Sequence, residues 1–300
     1  MNDAVAYLNG KWVPTSKLSL PIDDVGFLLG ATVTERLRTF RGQVFRLEDH
    51  LARLRNSLEI MGLDSAVIAT EIGQAIVQFA GRNASLIDPE DDWGIGAFAT
   101  PGVSGSGQPT VCVYGAPLPF HQWQSQFDTG VPVVISSYRQ VPNNCWPAEL
   151  KCRSRMHYYL ADREASQREP GARAVVLDQQ GLVAESTKAN VVIYRSDEGL
   201  ISPSQDNILA GVSLRVLKEL AAALNIPFAM RPLSVDEFCG ADEALLASTS
   251  ICVLPIVQCD GKPIATGKPG PIYRRILTAW GQLVGVDVAA QAKRFAERTE

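Results

Sequence analysis

Asp178-Gln-Gln-Gly-Leu-Val-Ala-Glu-Ser-Thr-Lys-Ala-Asn190 lies between two valine-rich runs, residues 173–178 and 190–195, that read as strands. Outward from it the hydrophobic period changes. Residues 153–168 upstream and 212–224 downstream follow helical spacing, and residues 271–284 do so again near the end of the chain. Three more apolar runs, residues 131–137, 244–248 and 253–258, have the length and composition of strands. Strands interleaved with helices predict an α/β (α+β) fold.

The first third of the chain adds two hairpins and two helices. Asn9-Gly10 separates Ala4–Leu8 from Lys11–Val13 and supplies the pair of left-handed residues that a type I′ turn needs. Arg41-Gly42 marks a second hairpin between Glu35–Phe40 and Gln43–Arg46. Leu47, Leu51, Leu54, Leu58 and Met61 form one apolar stripe, with Gly62 as its stop. A second helix is expected over residues 66–80, ended by Gly81, and strands over residues 95–100 and 110–114. Gly115-Ala-Pro-Leu-Pro-Phe120 suits an extended linker, so the domain boundary is placed at residues 116–128, between a domain of residues 1–115 and one of residues 129–300.

Composition narrows the function classes. The 300 residues carry 28 Lys+Arg against 32 Asp+Glu, a formal net charge of −4, which leaves no footprint for nucleic acid or an anionic membrane surface. An apolar share of 46% is enough to build a core and argues against disorder. No apolar run approaches the roughly 18 residues that span a bilayer. The opening Met1-Asn-Asp-Ala-Val-Ala-Tyr7 lacks a secretion signal, so a cytoplasmic location is expected. Six scattered cysteines without a Cys-x-x-Cys pair read as buried, reduced thiols, and three isolated histidines offer no metal site.

Several short segments carry candidate chemistry. Gly102-Val-Ser-Gly-Ser-Gly107 fits neither phosphate-loop spacing, is followed by Pro109, and reads as a flexible hairpin loop. In Leu209-Ala-Gly-Val-Ser-Leu-Arg-Val-Leu-Lys-Glu-Leu220 a glycine leads directly into an amphipathic helix. The first amides of such a helix are unpaired donors in a field that favours an anion, although an ordinary loop-to-helix junction has the same look. Ser248-Thr-Ser250, after an apolar strand, suits anion binding or a plain turn. Lys151 precedes a helix; desolvated there, its amine would become nucleophilic, whereas lysines in general are surface residues.

In their order along the chain these segments resemble the class IV aminotransferases, the fold-type IV pyridoxal-phosphate enzymes, which include branched-chain aminotransferases, D-amino-acid aminotransferases and aminodeoxychorismate lyases. The resemblance spans Tyr7-Leu-Asn-Gly10, Asp24-Val-Gly-Phe-Leu-Leu-Gly30 and Phe45-Arg-Leu-Glu-Asp-His-Leu-Ala-Arg-Leu54. It continues through Lys151, the Asp178–Asn190 segment, Gly211-Val-Ser213, Ser248-Thr249 and Gly267-Lys-Pro-Gly-Pro271. It implies a small N-terminal α/β domain, a larger C-terminal domain with pyridoxal 5'-phosphate between them, and a homodimer. Within it Lys151 takes the place of the Schiff-base lysine and Arg53 that of the arginine on the cofactor phosphate. Glu185 stands where an acid faces the pyridine nitrogen, and Val212, Ser213, Ser248 and Thr249 complete the phosphate site. The implied reaction moves an amino group between an amino acid, branched-chain or otherwise hydrophobic, and a 2-oxo acid. An aminodeoxychorismate-type β-eliminating lyase and a D-amino-acid aminotransferase are the alternatives on the same scaffold. A non-catalytic binding protein is the distant one.

Three departures bear on the substrate. Thr100-Pro-Gly102 stands where the D-amino-acid branch has Thr-Arg-Gly, and so lacks an arginine for the substrate carboxylate. Met156 replaces the tyrosine that touches the cofactor's phenolic oxygen in the branched-chain branch, with Arg155, His157 and Tyr158 nearby as substitutes. Thr34-Glu35-Arg36 replaces a Phe-Glu pairing at the pocket wall, while Glu35 with Arg38 is similar to the transaminase pattern. Thr34, Glu35, Arg38 and Thr100 are therefore the expected substrate-pocket residues.

Overall fold

In the computed structural model, which describes residues 3–298, Asn9 and Gly10 take φ angles of 46° and 82° and join β1 (Val5–Leu8) to β2 (Lys11–Pro14). Met1 and Asn2, where the reading of the N-terminus begins, lie outside the described residues. After α1 (Val25–Leu28) come β3 (Val33–Phe40), a second left-handed pair at Arg41 and Gly42, and β4 (Gln43–Val44). Two long helices follow, α2 (Leu47–Ile60) and α3 (Ser65–Arg82), then β5 (Trp93–Thr100) and β6 (Thr110–Pro117). The strands form an antiparallel sheet in the order β2-β1-β6-β5-β3-β4.

One face of this sheet is covered by the two helices. Leu51, Leu54 and Leu58 of α2 and Ile72, Ile76 and Phe79 of α3 pack on Leu37, Ile95 and Val113. Each such side chain contributes about 1.5–3 kcal/mol on burial. Helix α3 runs through Gly81, where the sequence predicts its end, to Arg82. What stops it is Asn83: its side chain accepts from Val5 N at 2.8 Å and donates to Val5 O at 3.0 Å, tying the chain to β1.

The segment expected to be an extended linker is structured. β6 continues to Pro117, and the chain then buries Phe120, Trp123 and Phe127 around a short α4 (Gln126–Thr129). Aromatic burial outweighs the extending effect of two prolines. Tertiary contacts divide the chain into two units. The first comprises the residues up to Leu118 together with Leu150–Ser154; the second comprises Pro119–Glu149 and the chain from Arg155 onward.

The second unit is built on a nine-stranded sheet. β7 (Val131–Arg139), α5 (Met156–Arg168) and β8 (Arg173–Leu177) form a parallel strand pair with a helical crossover, the connection that parallel pairing requires. β9 (Val183–Ser186), β10 (Asn190–Arg195) and β11 (Gly199–Ser202) follow, then α6 (Val212–Ala223), β12 (Phe228–Met230) and α7 (Val235–Cys239). β13 (Glu243–Ser248), β14 (Cys252–Cys259), β15 (Lys262–Pro263), α8 (Pro271–Val284) and α9 (Val288–Arg294) complete it. The strand order is β12-β11-β10-β13-β14-β7-β8-β9, with β15 paired to β14. Ala161 and Ala165 of α5 lie against Val134, Ala174 and Val176, where small residues let helix and sheet approach closely. The mixed α/β architecture is the one expected. The cysteines are less uniformly buried than expected: Cys145 is exposed in the loop after β7, and the Sγ atoms of Cys239 and Cys259 lie 2.7 Å apart.

Candidate active site

Alternation along β3 sends Val33, Glu35 and Leu37 toward α2 and α3, which sets a carboxylate in an apolar layer. Two residues one turn apart on α2 meet it. Arg53 donates Nε to Glu35 Oε1 at 2.8 Å and Nη2 to Oε2 at 2.7 Å, a bidentate pair. His50 Nδ1 lies 2.7 Å from the same Oε2. Burial alone would push the Glu35 carboxyl up, but the Arg53 guanidinium and the His50 contact outweigh it and hold it well below the usual carboxylate range. Burial pulls His50 down and Glu35 opposes; the neutral ring then donates Nδ1–H to the carboxylate, and among the described residues its Nε2 has no hydrogen-bond partner. Arg53, expected at the cofactor phosphate, is thus oriented by Glu35.

Three other expected pocket residues belong to this unit. Arg38 is fully buried; its Nη2 donates to Asp92 at 2.9 Å and its guanidinium carbon lies 3.9 Å from the centre of the Phe40 ring. The Thr34 hydroxyl donates to Ala97 O at 2.9 Å. The Thr100 hydroxyl donates to the buried Asp24, which also accepts from Thr110 and from Gly26 N. These contacts join neighbouring strands and the start of α1.

Leu150–Ser154 runs antiparallel to the start of β3, with Cys152 bridged to Val33. Thr34 N donates to Lys151 O and Arg153 N to Thr32 O, each at 2.9 Å, while Lys151 N donates to Ser57 Oγ at 3.2 Å. Leu150 packs into the helix-covered core. The backbone that carries the Lys151 amine is therefore pinned on both sides.

In the second unit Glu185 is buried on β9. Its Oε1 accepts from the Tyr158 hydroxyl at 2.6 Å and from Gln140 Nε2 at 2.7 Å. Its Oε2 faces Leu209 N at 3.4 Å and Asn190 Nδ2 at 3.5 Å. Burial, then the Glu185 charge, raise the Tyr158 pKa well above the usual phenol value, so the hydroxyl stays a donor. Tyr158 thus serves Glu185, while Met156 is exposed at the start of α5. Gln140 escaped the sequence reading because it follows a strand without a motif around it; only the partner it meets across the sheet identifies it.

Glycine at 211 has a packing reason. A Cβ there would lie 2.0 Å from Asn190 Oδ1, and Asn190 Nδ2 donates to Leu209 O at 3.0 Å. Gly211 starts α6 in an extended conformation, and among the described residues no side chain caps the start of the helix. Val212 and Ser213 are buried in its first turn. Asn190 pairs with Ala247, the residue before Ser248, so the Ser248-Thr249-Ser250 turn lies at the same end of the sheet. Uncapped amides and three side-chain hydroxyls have the donor chemistry that a phosphate group requires. The buried, hydrogen-bonded carboxylate of Glu185 matches a protonated ring nitrogen. The residues present fit pyridoxal 5'-phosphate.

Among the described residues no group of three or more His, Cys, Asp or Glu side chains stands together as a metal site, and no helix is long and apolar enough to cross a membrane. The family model described as amino-transferase class IV matches residues 32–259. The branched-chain-amino-acid aminotransferase-like protein 2 of Arabidopsis thaliana is 27% identical over 285 residues, which cover 93% of this chain and 50% of that protein. The chain therefore spans about half the length of that curated relative. The D-alanine aminotransferase of Bacillus licheniformis is 25% identical, with 90% of this chain and 94% of that one covered. Among solved structures, the branched-chain aminotransferase of Thermoproteus uzoniensis with norvaline superposes with a TM-score of 0.83 at 26% identity, covering 94% of this chain and 95% of that one.

Proposed function

Because the chain belongs to the class IV aminotransferases, a family of enzymes, we propose that it moves an amino group between an amino acid and a 2-oxo acid with pyridoxal 5'-phosphate as cofactor. The observation that carries this reading is that the uncapped start of α6, the Ser248-Thr249 turn and Glu185 come together near Asn190 at one end of the sheet. A branched-chain or other hydrophobic amino acid is the proposed donor, in keeping with the Arabidopsis and Thermoproteus relatives.

Bound pyridoxal phosphate supplies an aldehyde for the amino group and a ring that takes up electron density from the substrate Cα. The amides of Val212 and Ser213, with the hydroxyls of Ser213, Ser248 and Thr249, bind the phosphate. Arg53, in the orientation set by its Glu35 pair, is the guanidinium proposed for the cofactor phosphate. Glu185, held by Tyr158 and Gln140, keeps a proton on the ring nitrogen. Lys151 would supply the amine that holds the cofactor and would move a proton at the substrate Cα.

The test is a panel of L- and D-amino donors with 2-oxoglutarate or pyruvate and a control without acceptor. Acceptor-dependent transfer that disappears in Lys151→Ala is the expected outcome. Pyruvate formed without an acceptor would instead mean β-elimination. A chain that takes up no pyridoxal phosphate, or in which borohydride reduction leaves Lys151 unlabelled, overturns the reading. A homodimer is also proposed: Ile22, Phe27, Leu28 and Leu29 are 73%, 66%, 56% and 77% exposed, a cluster of apolar side chains that monomers seldom leave in water. Sedimentation at the mass of a single chain would remove that part.

A further inference from the structure

The face of the first sheet turned away from α2 and α3 carries an uncompensated pair of cations. Alternation places Thr34, Arg36 and Arg38 of β3 on this side, with Gly94, Gly96 and Phe98 of β5 and Tyr114 of β6. Arg38 is neutralised by Asp92. Arg36 is not: among the described residues its guanidinium meets no carboxylate and makes no hydrogen bond. Arg153 reaches the same face from the Leu150–Ser154 segment. Its Nη2 donates to the Tyr114 hydroxyl at 2.6 Å and its guanidinium carbon lies 5.6 Å from the centre of the Phe98 ring. Arg153 likewise has no acidic partner among the described residues.

The space for these groups is built in. A Cβ on Gly94 would lie 2.3 Å from Arg36 Nη2, and one on Gly96 would lie 2.6 Å from the Tyr114 ring. Two side-chain-free positions on β5 therefore let the guanidinium and the phenol lie flat across the strand. Burial first, and then the Arg153 charge, pull the pKa of Arg36 below the usual guanidinium value, with Tyr114 opposing. Holding two like charges together in a half-buried place is unfavourable unless an anion joins them. Guanidinium groups favour a planar carboxylate, which they bind through paired N–H donors.

Resting on the transaminase reading above, we infer that Arg36 and Arg153, with Tyr114, form the site that recognises a carboxylate of the amino-acid or 2-oxo-acid substrate. Lys151 stands two residues before Arg153 on the strand-like segment bridged to β3, and period-two alternation projects both to one side of it. The site would supply the cation that Thr100-Pro101-Gly102 lacks.

The holoenzyme is compared with Arg36→Gln and Arg153→Gln by calorimetric titration with glutarate and with butyrate, and by steady-state kinetics with glutamate, alanine and 1-phenylethylamine as donors. Glutarate binding is expected to weaken roughly tenfold or more in each variant, the scale of a lost charge-assisted contact. KM for glutamate should rise in parallel while turnover of the carboxylate-free amine is unchanged. A rise for glutamate alone assigns the site to a side-chain carboxylate; an equal rise for alanine, with weaker butyrate binding, assigns it to the α-carboxylate. Unchanged glutarate and butyrate binding in both variants, or equal losses with all three donors, overturns the inference. Arg153 is exposed, so its variant is informative even if Arg36→Gln folds poorly. Glutarate binding also separates the two ideas: a chain that binds glutarate through Arg36 but transfers no amino group refutes the transaminase reading and leaves this site standing.

Discussion

Glu35 and Arg53 are joined edge to edge, two parallel hydrogen bonds of 2.8 and 2.7 Å closing a carboxylate onto a guanidinium under the cover of α2. Removing one member of such a pair leaves the other charge without compensation in a place with little water. Glu35→Ala is expected to cost about 3 kcal/mol of folding stability or more. It should also weaken pyridoxal phosphate binding, because Arg53 loses its orientation. Urea denaturation and cofactor titration measure the two effects; an unchanged cofactor affinity would separate Arg53 from the phosphate.

The same cluster sets a pH dependence. The folded pKa of His50 lies below its unfolded value, so acidification protonates the unfolded chain first, and stability falls as pH drops below about 6.5. Glu35, also depressed, adds stability that is fully present above about pH 4.3 and is lost further down, as pH falls through its folded pKa. Stability should therefore decline in two stages on acidification. His50→Gln is expected to flatten the upper stage without abolishing it, since His157 is depressed as well, first by burial and then by Arg155. Denaturation midpoints between pH 5 and 8 check this; a slope identical to that of the parent chain would refute it.

Gly211→Ala places a methyl group 2.0 Å from Asn190 Oδ1. Asn190 must move, and with it the Leu209 carbonyl it holds. The expected cost is about 1–3 kcal/mol of stability. Cofactor release should be faster, followed as loss of the visible absorbance on dilution. Cofactor retention equal to that of the parent would show that the start of α6 tolerates the shift.

Tyr158→Phe removes a 2.6 Å donor from Glu185 Oε1, where Gln140 Nε2 also donates. A hydrogen bond to a charged group contributes about 1.5–3 kcal/mol, and a loss on that scale is expected in stability. Under the proposed role of Glu185, the pH at which the bound cofactor changes colour should also move. A colour change at the unaltered pH would mean that Tyr158 supports the fold alone.

How much of this was legible in the sequence depends on how local the determinant is. The turns at Asn9-Gly10 and Arg41-Gly42 and the stripe from Leu47 to Met61 are set by near neighbours, and they stand where the sequence places them. Short strands such as β9, β11 and β12 carry too few residues to show a period and exist because longer strands pair with them. The change of unit at 118/119 lies within the expected residues 116–128, but their expected extended form does not hold for a related reason: prolines announce themselves, whereas the burial of Phe120, Trp123 and Phe127 is decided by distant partners. Within the candidate site, the helix start at Gly211 could be found as a motif. Gln140, Asn190's contact with Gly211, and the pairing of Arg38 with Asp92 arise only once the strands are in register.

The return of Leu150–Ser154 to the first unit has a practical consequence for anyone dividing this protein. The polypeptide changes unit at 118/119, at 149/150 and again at 154/155, so no single cut separates two self-sufficient halves. A fragment ending at Leu118 would keep every strand of its sheet yet forfeit the stretch that lies along Val33. The amine at 151 would leave with the other piece, severed from the threonine backbone that fixes it.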